Sequence, residues 1–242
     1  MAKLSALIAA AGRGTRAGLS YPKTLFPIQG TPILVRIAKL LHQYDTSPTV
    51  IVSPAGKVPI QQCLESANQH GHLVVQPEPR GMGEAVQRFA DSPAFDKTEH
   101  VLLVWGDVPF IQPETLEGVV SGHLRHNNDF TFATRQVDAA YTVVARDSDG
   151  QVLGVIETRE QGIKEPQPGE RDIGLFCFRK DLVLEALRED LSGKWGQTTG
   201  EHGFLYIIGH LAVRGWRVEA LPIATKLDLV SLNSMKDLDL FL

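Results

Sequence analysis

The fold of this chain is decided by residues 4–16, which read Leu4-Ser-Ala-Leu-Ile-Ala-Ala-Ala-Gly-Arg-Gly-Thr-Arg16. The apolar run Leu4–Ala10 is short and continuous, which is typical of a strand buried on both faces of a sheet. Gly12 and Gly14 follow at the carboxyl end of that strand, where the backbone N–H groups of a glycine turn close on phosphate oxygens. Room for a flat base is left by three small side chains: Ala9, Ala10 and Ala11. The stretch predicts a buried strand that ends in a nucleotide-phosphate loop.

The two glycines also fit a dinucleotide fingerprint, Gly12-x-Gly14-x-x-Ala17. That fingerprint requires a helix directly after the glycines and an acidic residue about 20 positions further on. Prolines at positions 22 and 27 break any helix before Pro32, and the first acidic residue of the chain is Asp45. The surrounding sequence therefore argues against a dinucleotide site.

Charge is distributed unevenly along the chain. Residues 1–44 carry a net charge of +6 and contain no Asp or Glu, whereas the remaining residues carry −10 and the whole chain −4. A basic segment within an acidic chain favours a local polyanion site, although solvated side chains placed by chance are the alternative. The overall charge argues against a nucleic-acid binder that works by bulk charge.

The composition is that of a globular protein, with 43% hydrophobic and 21% charged residues among 242. We expect a single domain over residues 1–242, with a nucleotide-binding half at 1–127 and an acceptor-binding half at 128–242. The chain has two cysteines, no apolar run of about 18 residues and no recognisable signal peptide. These features predict a cytoplasmic protein that does not enter a membrane.

Strands and helices alternate in the first half. Strands are predicted at 4–10, 50–52, 73–76 and 101–105, and helices at 32–44 (capped by Thr31), 58–69, 82–90 and 113–125. In the second half, strands are predicted at 130–135, 141–146, 152–157, 173–179 and 216–221, a polar loop at 159–171, and helices at 182–190, 202–214 and 231–241. The pattern predicts an α/β fold: a Rossmann-like, mostly parallel mixed sheet flanked by helices, with a β-meander in the acceptor half.

The loop after the first strand continues as Gly12-x-Gly14-Thr15-Arg16, and Pro22-Lys23 follows. This combination resembles the sugar-1-phosphate nucleotidyltransferases, and within them the uridylyltransferases that act on N-acetylglucosamine 1-phosphate. The resemblance implies catalytic roles for Arg16 and Lys23 and nucleotide contacts from the backbone around Ala9–Thr15. The β-helix acetyltransferase domain of that group has no expected counterpart within these residues.

Two further segments extend the resemblance. Gln76 and the loop that contains Gly81 and Met82 resemble the base-reading segment of the family, and a side-chain amide can pair with both a carbonyl and an imide N–H of uracil. Trp105-Gly106-Asp107 resembles the Tyr-Gly-Asp segment whose Asp binds Mg²⁺, and the family's second ligand, an Asn, falls on Asn233. Simple structural interpretations remain open for three of these residues, as strand ends or helix caps: Gln76, Asp107 and Asn233.

The acceptor half matches the family less closely. Glu157 resembles a Glu that contacts sugar hydroxyls, and a carboxylate is a suitable acceptor for them. Thr142 and Asp172 stand where the family has a Gly and an Asn that face the sugar, and Met82 and Trp105 replace a Thr and a Tyr. The eight histidines lack metal-ligand spacing, so His202 is interpreted as structural.

The sequence therefore predicts a Mg²⁺-dependent nucleotidyltransferase that joins an NTP, with UTP favoured, to a sugar 1-phosphate and releases pyrophosphate. One alternative is a transferase that uses CTP or GTP with a non-sugar phosphate acceptor, and another is a non-catalytic nucleotide-sugar-binding protein. The presence of Lys23, Asp107 and Asn233 together favours an enzyme.

Overall fold

A computed structural model describes residues 3–12, 14, 18–163 and 165–232. The strands are β1 (Leu4–Ala9), β2 (Pro27–Ile28), β3 (Thr31–Pro32), β4 (Thr49–Val52), β5 (His72–Val75), β6 (His100–Trp105), β7 (Phe130–Ala140), β8 (Thr142–Arg146), β9 (Val152–Glu157), β10 (Gln167–Arg179) and β11 (Val218–Leu221). The helices are α1 (Ile33–Leu41), α2 (Lys57–Ser66), α3 (Met82–Gln87), α4 (Pro113–Arg125), α5 (Lys180–Arg188) and α6 (Tyr206–Val213).

Seven strands form one mixed sheet in the order β11-β7-β10-β6-β1-β4-β5. β1 pairs in parallel with β4 on one side and with β6 on the other, so the chain order reverses at β1. Only β10 runs antiparallel to its neighbours in this sheet. The predicted α/β class, with a mostly parallel mixed sheet, is confirmed. Because ligands of such sheets bind beyond the carboxyl ends of the strands at the reversal point, the fold directs attention to the ends of β1 and β6.

Helices cover both faces of the sheet because successive strand residues point to opposite sides. Ala6 and Ile8 of β1 lie in a core with α1, α2 and α4, whereas Leu7 lies in a second core with α3, α5 and α6. The second core is rich in aromatic rings, and Phe130 stacks on Phe178 with centroids 5.7 Å apart. Both faces of the parallel strands are therefore buried from solvent, which explains their continuous apolar sequence.

The predicted meander takes the form of a separate hairpin and a long strand pair. β8 and β9 pair with each other in a two-stranded sheet, while β7 pairs with β10. Arg146 of β8 donates to both carboxylate oxygens of Glu170 on β10, each at 2.7 Å, and to the Ala220 carbonyl at 2.9 Å. This bidentate pair ties the hairpin to the main sheet.

The first predicted helix begins later than its sequence indicates. Pro32 has ψ 144° and belongs to β3, which pairs with β2 across a turn in which Gln29 and Gly30 have positive φ. The proposed Thr31 cap is wrong because Thr31 is engaged in this small hairpin, and the helix starts at Ile33. A glycine at the left-handed position of the turn explains why the chain reverses before the helix.

Three other predicted segments change extent. Residues 167–171, expected in a loop, belong to β10, because Gly169 and Glu170 pair with β7 and the polar Glu170 side chain is neutralised by Arg146. The helix expected from His202 begins at Tyr206. α3 ends at Gln87 and continues as a short 3-10 helix, and the predicted terminal helix lies outside the described residues from position 233 onward.

Replacement of Glu170 by Gln tests the hairpin attachment. Burial raises the pKa of Glu170, but hydrogen bonds from Arg146 and Thr134 outweigh burial and hold it below its usual range. A lowered folded-state pKa contributes stability above the unfolded-state value, and that contribution is lost as the pH falls through the folded-state value. We expect E170Q to unfold about 1–3 kcal/mol more easily at pH 7, and to lose less stability than the wild type between pH 7 and pH 3.

The measurement is urea unfolding at both pH values, with Glu78→Gln as a control. Glu78 forms an exposed ion pair with Arg80, and such pairs contribute little. Equal pH dependence of the wild type and E170Q would contradict the proposed attachment.

Candidate active site

A cavity of about 640 Å³ opens beyond the carboxyl ends of β1, β5 and β6. One wall comes from the segments that follow these strands, and includes Ala9, Ala11, Gly12, Gly14, Gln76, Gly81, Met82, Trp105 and Asp107. The other wall comes from β9 and from the segment 193–206 between α5 and α6. The cavity therefore lies at the chain reversal where α/β sheets bind ligands.

The glycine loop after β1 is packed directly on the segment that carries Lys23. A Cβ on Gly12 would lie 3.1 Å from Lys23 Cε, and a Cβ on Gly14 would lie 2.8 Å from the Tyr21 carbonyl oxygen. Gly14 also has a φ of +74°, which side chains rarely adopt. The glycines thus allow the lysine side chain to lie against the phosphate loop that the sequence predicted.

Lys23 forms an ion pair with Asp107, which follows β6. The side chains are 22% and 12% exposed, so both charges lie mostly out of water at the edge of the cavity. The Gly106 N–H donates to the Ala9 carbonyl at 2.9 Å, and a Cβ at 106 would lie only 2.6 Å from that oxygen. This close contact between the ends of β1 and β6 brings Asp107 to the glycine loop.

Asp107 offers a carboxylate of the kind that divalent cations bind. The Leu232 N–H donates to the Asp107 carbonyl at 2.9 Å, so residue 232 lies beside Asp107. No group of three His, Cys, Asp or Glu side chains suited to a metal occurs in the part of the chain that the structure describes. Mg²⁺ commonly takes one or two protein ligands and completes its shell with water and substrate phosphates. The Lys23 ammonium already occupies a cation position on the Asp107 carboxylate.

Gln76 and Gly81 are brought together as the resemblance implies. Gln76 is buried, and its side-chain amide donates to the Gly81 carbonyl at 3.0 Å. Its backbone N–H donates to the Val52 carbonyl at 2.8 Å, which extends the ladder beyond β5. The solvent-facing interpretation of Gln76 is wrong, because this residue is buried at the cavity wall.

Backbone hydrogen bonds join the segment 80–83 to the opposite wall of the cavity at His202. The Gly83 N–H donates to the His202 carbonyl at 3.0 Å, and the His202 N–H donates to the Arg80 carbonyl at 2.6 Å. A Cβ on Gly83 would lie 2.1 Å from the Gly203 carbonyl oxygen, so only glycine permits this approach. Burial, and secondarily the Lys194 charge, lowers the pKa of His202 to about 4. His202 is therefore neutral at pH 7. It lies in the backbone contact between residues 80–83 and 202–203, which forms a structural seam between the two walls.

The three predicted sugar residues lie in two different places. Glu157 lines the cavity, whereas Thr142 and Asp172 are not part of its described wall. Thr142 Oγ1 donates to Asp172 Oδ1 at 2.5 Å, and the Gly174 N–H donates to Oδ2 at 3.0 Å. The Asp172 carboxylate is thus held by its own strand and by β8, outside the described cavity wall, and the sugar contacts expected of Thr142 and Asp172 stay predictions.

Asp172 acts on the cavity electrostatically. Burial raises the pKa of Asp172 despite its hydrogen bonds. Burial also raises the pKa of Glu157, and the nearby Asp172 charge raises it further. The wall formed by β9 therefore carries an acidic group, Glu157, that favours hydrogen-bond donors.

Two other predicted residues, Ala10 and Gly106, are not part of the described cavity wall. Ala10 is buried in the core with α1, and Gly106 is engaged with the Ala9 carbonyl. Thr15, Arg16 and Asn233 lie outside the described residues, so their predicted roles stay predictions.

The cavity also includes residues that the sequence reasoning did not single out, foremost Trp195, Glu160 and Tyr206. Glu160 accepts from the Thr198 N–H at 2.8 Å and from Thr199 Oγ1 at 3.0 Å, which fixes the loop 193–203. Trp195 carried one sequence signal: an aromatic residue in a polar, glycine-flanked segment, Gly193-Lys-Trp-Gly196.

Comparison with known proteins identifies the family. The model of the MobA-like NTP transferase domain matches residues 6–191, which include the glycine loop, Lys23, Gln76 and Asp107. The chain belongs to the MobA-like NTP transferase domain family. It is therefore a nucleotidyltransferase, and the predicted enzyme class is confirmed.

Curated relatives of this transferase are bifunctional GlmU proteins. The protein from Picosynechococcus sp. is 32% identical over 184 residues, which are 74% of this chain and 40% of that protein. The protein from Geobacter metallireducens is 28% identical over 241 residues, which are 98% of this chain and 49% of that protein. The chain thus spans about half, or less, of the length of these relatives.

A solved structure supports the fold. A UDP-glucose pyrophosphorylase complexed with UDP-glucose superimposes with a TM-score of 0.71 and 17% sequence identity, and the match covers 95% of this chain and 96% of that one. At this identity the comparison shows the architecture alone. Among the helices of the described segments, none combines the length and apolarity needed to span a bilayer.

Replacement of Gly83 by Ala tests the seam at His202. We expect G83A to reduce the free energy of unfolding by about 1–3 kcal/mol, because the added methyl group forces α3 away from the Gly203 carbonyl. Gly203→Ala is the matched control, since a Cβ there meets only ordinary contacts from 3.5 Å. Urea unfolding of both variants is the measurement, and equal stability of the two would disprove the seam.

Proposed function

We propose that this transferase is a Mg²⁺-dependent enzyme that joins an NTP, most favourably UTP, to a sugar 1-phosphate, yielding an NDP-sugar and pyrophosphate. The observation that carries the proposal is that the Lys23–Asp107 ion pair and Glu157 line one cavity, on the wall after β1 and β6 and on the wall from β9 respectively. A cation and a metal-type carboxylate on one wall suit phosphates, and a carboxylate on the other wall suits hydroxyl groups. The cavity is also large enough for a nucleotide-sized ligand.

The proposed reaction is a displacement at the α-phosphorus. A phosphate oxygen of the sugar 1-phosphate attacks that atom, the bond to the bridging oxygen of the β-phosphate breaks, and pyrophosphate leaves with the electron pair. The attacking phosphate is already an anion at pH 7, so no side chain needs to remove a proton. The requirement on the protein is to offset the repulsion between two anions and to stabilise the charge on the transferring group.

Lys23 is the described cation best placed for this task. Its ammonium lies at the glycine loop and on Asp107, where incoming phosphates meet both wall segments. Asp107, with Asn233 as its proposed partner, would hold Mg²⁺. When bound, Mg²⁺ supplies charge neutralisation and orientation of the phosphate oxygens. Arg16 is proposed to hold the β- and γ-phosphates, and the absence of acidic residues before Asp45 keeps repulsive charge out of this region.

The preference for UTP rests on Gln76. Its buried amide lies at the cavity wall beside the Gly81 backbone, so side-chain and main-chain hydrogen-bonding groups occur together there. Uracil offers two carbonyls and one imide N–H, which such a pair can match. Cytoplasmic location is proposed on the two cysteines, Cys63 and Cys177, which are unpaired.

Lys23→Ala and Asp107→Asn are each expected to lower turnover on the order of 10²-fold or more, because each removes charge stabilisation from the transferring phosphoryl group. Pyrophosphate release is measured with five nucleotides (UTP, dTTP, CTP, GTP and ATP) against α-D-glucose 1-phosphate, N-acetyl-α-D-glucosamine 1-phosphate and glycerol 3-phosphate. Chelation of divalent ions is expected to abolish release.

The control is Lys57→Ala, which removes an exposed lysine of α2 that does not line this cavity. Near-normal turnover in a folded K23A or D107N variant would remove the assigned role. Release with CTP or GTP and glycerol 3-phosphate alone would favour the non-sugar alternative, and nucleotide binding with no release would favour a binding protein.

Gln76→Leu is expected to raise KM for UTP about tenfold while kcat changes by less than about threefold, because the base contact is made equally in the ground and transition states. Gln151→Leu, at an exposed turn position outside the described cavity wall, is the control. Steady-state kinetics with UTP varied is the measurement. An unchanged KM with intact folding would show that Gln76 does not read the base.

A further inference from the structure

We propose that Trp195 is the platform on which the acceptor stacks, and that it makes a pyranose ring, rather than a linear phosphate ester, the acceptor of this enzyme. The inference rests on the proposed function and assigns a role to a residue outside the motifs described above. Trp195 lines the cavity and is 51% exposed, although tryptophan is among the most costly side chains to leave in water. One side of its ring is covered by His202, with centroids 5.3 Å apart.

The loop that carries Trp195 is held by its own backbone. Trp195 and His202 form an antiparallel bridge, and the Gly203 N–H donates to the Lys194 carbonyl at 2.8 Å. The Gly196 N–H donates to the Glu201 carbonyl at 2.9 Å. These bonds fix the backbone at Trp195 before a ligand binds, and they leave its ring free of hydrogen bonds to the loop. Such preorganisation is what a recognition residue requires.

The Glu157 carboxylate lines the same cavity as Trp195. Glu157 Oε1 is 3.7 Å from the point that a Cβ on Gly203 would occupy, and the Gly203 N–H is hydrogen-bonded to the carbonyl of Lys194, the residue before Trp195. The missing side chain at 203 leaves space between the carboxylate and the loop. A flat aromatic surface beside a hydrogen-bond acceptor matches a pyranose, which has an apolar C–H face and hydroxyl groups at its rim.

The charges along the cavity set the direction of the acceptor. Lys23 lies on the wall that includes the glycine loop, and Glu157 lies on the wall that includes Trp195, together with Val155 and Ile156. The phosphate of a sugar 1-phosphate is attracted to the Lys23 ammonium and repelled from the Glu157 carboxylate. A linear ester such as glycerol 3-phosphate carries the same phosphate but has no face to lay on Trp195.

The test compares wild type, Trp195→Ala and Trp195→Phe. Binding of α-D-glucose 1-phosphate, N-acetyl-α-D-glucosamine 1-phosphate and glycerol 3-phosphate is measured by calorimetry, and KM and kcat are measured by pyrophosphate release. We expect W195A to weaken binding of the preferred hexose 1-phosphate, and to raise its KM, by about tenfold or more. W195F is expected to restore both to within about threefold, and KM for UTP is expected to stay within twofold in both variants.

Trp216→Ala is the matched control, since Trp216 is also partly exposed but does not line the cavity. Unchanged hexose phosphate binding in W195A, equal losses of UTP and sugar affinity, or tighter binding of glycerol 3-phosphate by the wild type would each overturn the inference. Failure of the wild type to bind either hexose phosphate would also overturn it. Intact, Trp195-dependent binding without pyrophosphate release would support the platform and reject only the proposed function.

Discussion

The contact between the Gly106 N–H and the Ala9 carbonyl is the constraint on which the active site depends. It draws the ends of β1 and β6 together, and it requires a residue without a side chain at position 106. Asp107 then lies against the segment that carries Lys23, and the two charges pair at the edge of the cavity. A bulkier residue at 106 would separate the ends of β1 and β6. It would thereby also separate Lys23 from Asp107, the two groups that are proposed to act on the phosphates.

Glycines also allow close contacts elsewhere around the cavity. Gly83 lets α3 meet the 202–203 segment, and Gly174, with φ +76°, lies on the ring of Trp105. These contacts join the segments that follow the parallel strands to the segments that follow β9 and α5. The cavity therefore has two chemically different walls, which backbone hydrogen bonds rather than long side chains hold together.

Several elements followed directly from local patterns. The apolar runs of β1 and β6 and the glycine loop were predicted in their observed places, because a strand buried on both faces needs a continuous apolar sequence. The predicted boundaries were wrong where a polar residue is paired with a residue distant in the sequence. Residues 167–171 contain charged residues and looked like a loop, yet Glu170 is paired with Arg146, 24 positions earlier. Pro32 looked like a helix start, yet the turn at Gln29 and Gly30 placed it in a small hairpin.

The sequence by itself determined the α/β class, the phosphate loop and the roles expected of Lys23, Gln76 and Asp107, because those signals lie in spacing and residue type along a few consecutive positions. Only the tertiary structure decided that Asp172 accepts from Thr142 and lies outside the described cavity wall, and that Trp195 and Glu157 line the same cavity. Thr142 and Asp172 lie 30 positions apart, and Glu157 and Trp195 lie 38 positions apart. Their meeting depends on strand register and on loop closure, which no local pattern encodes.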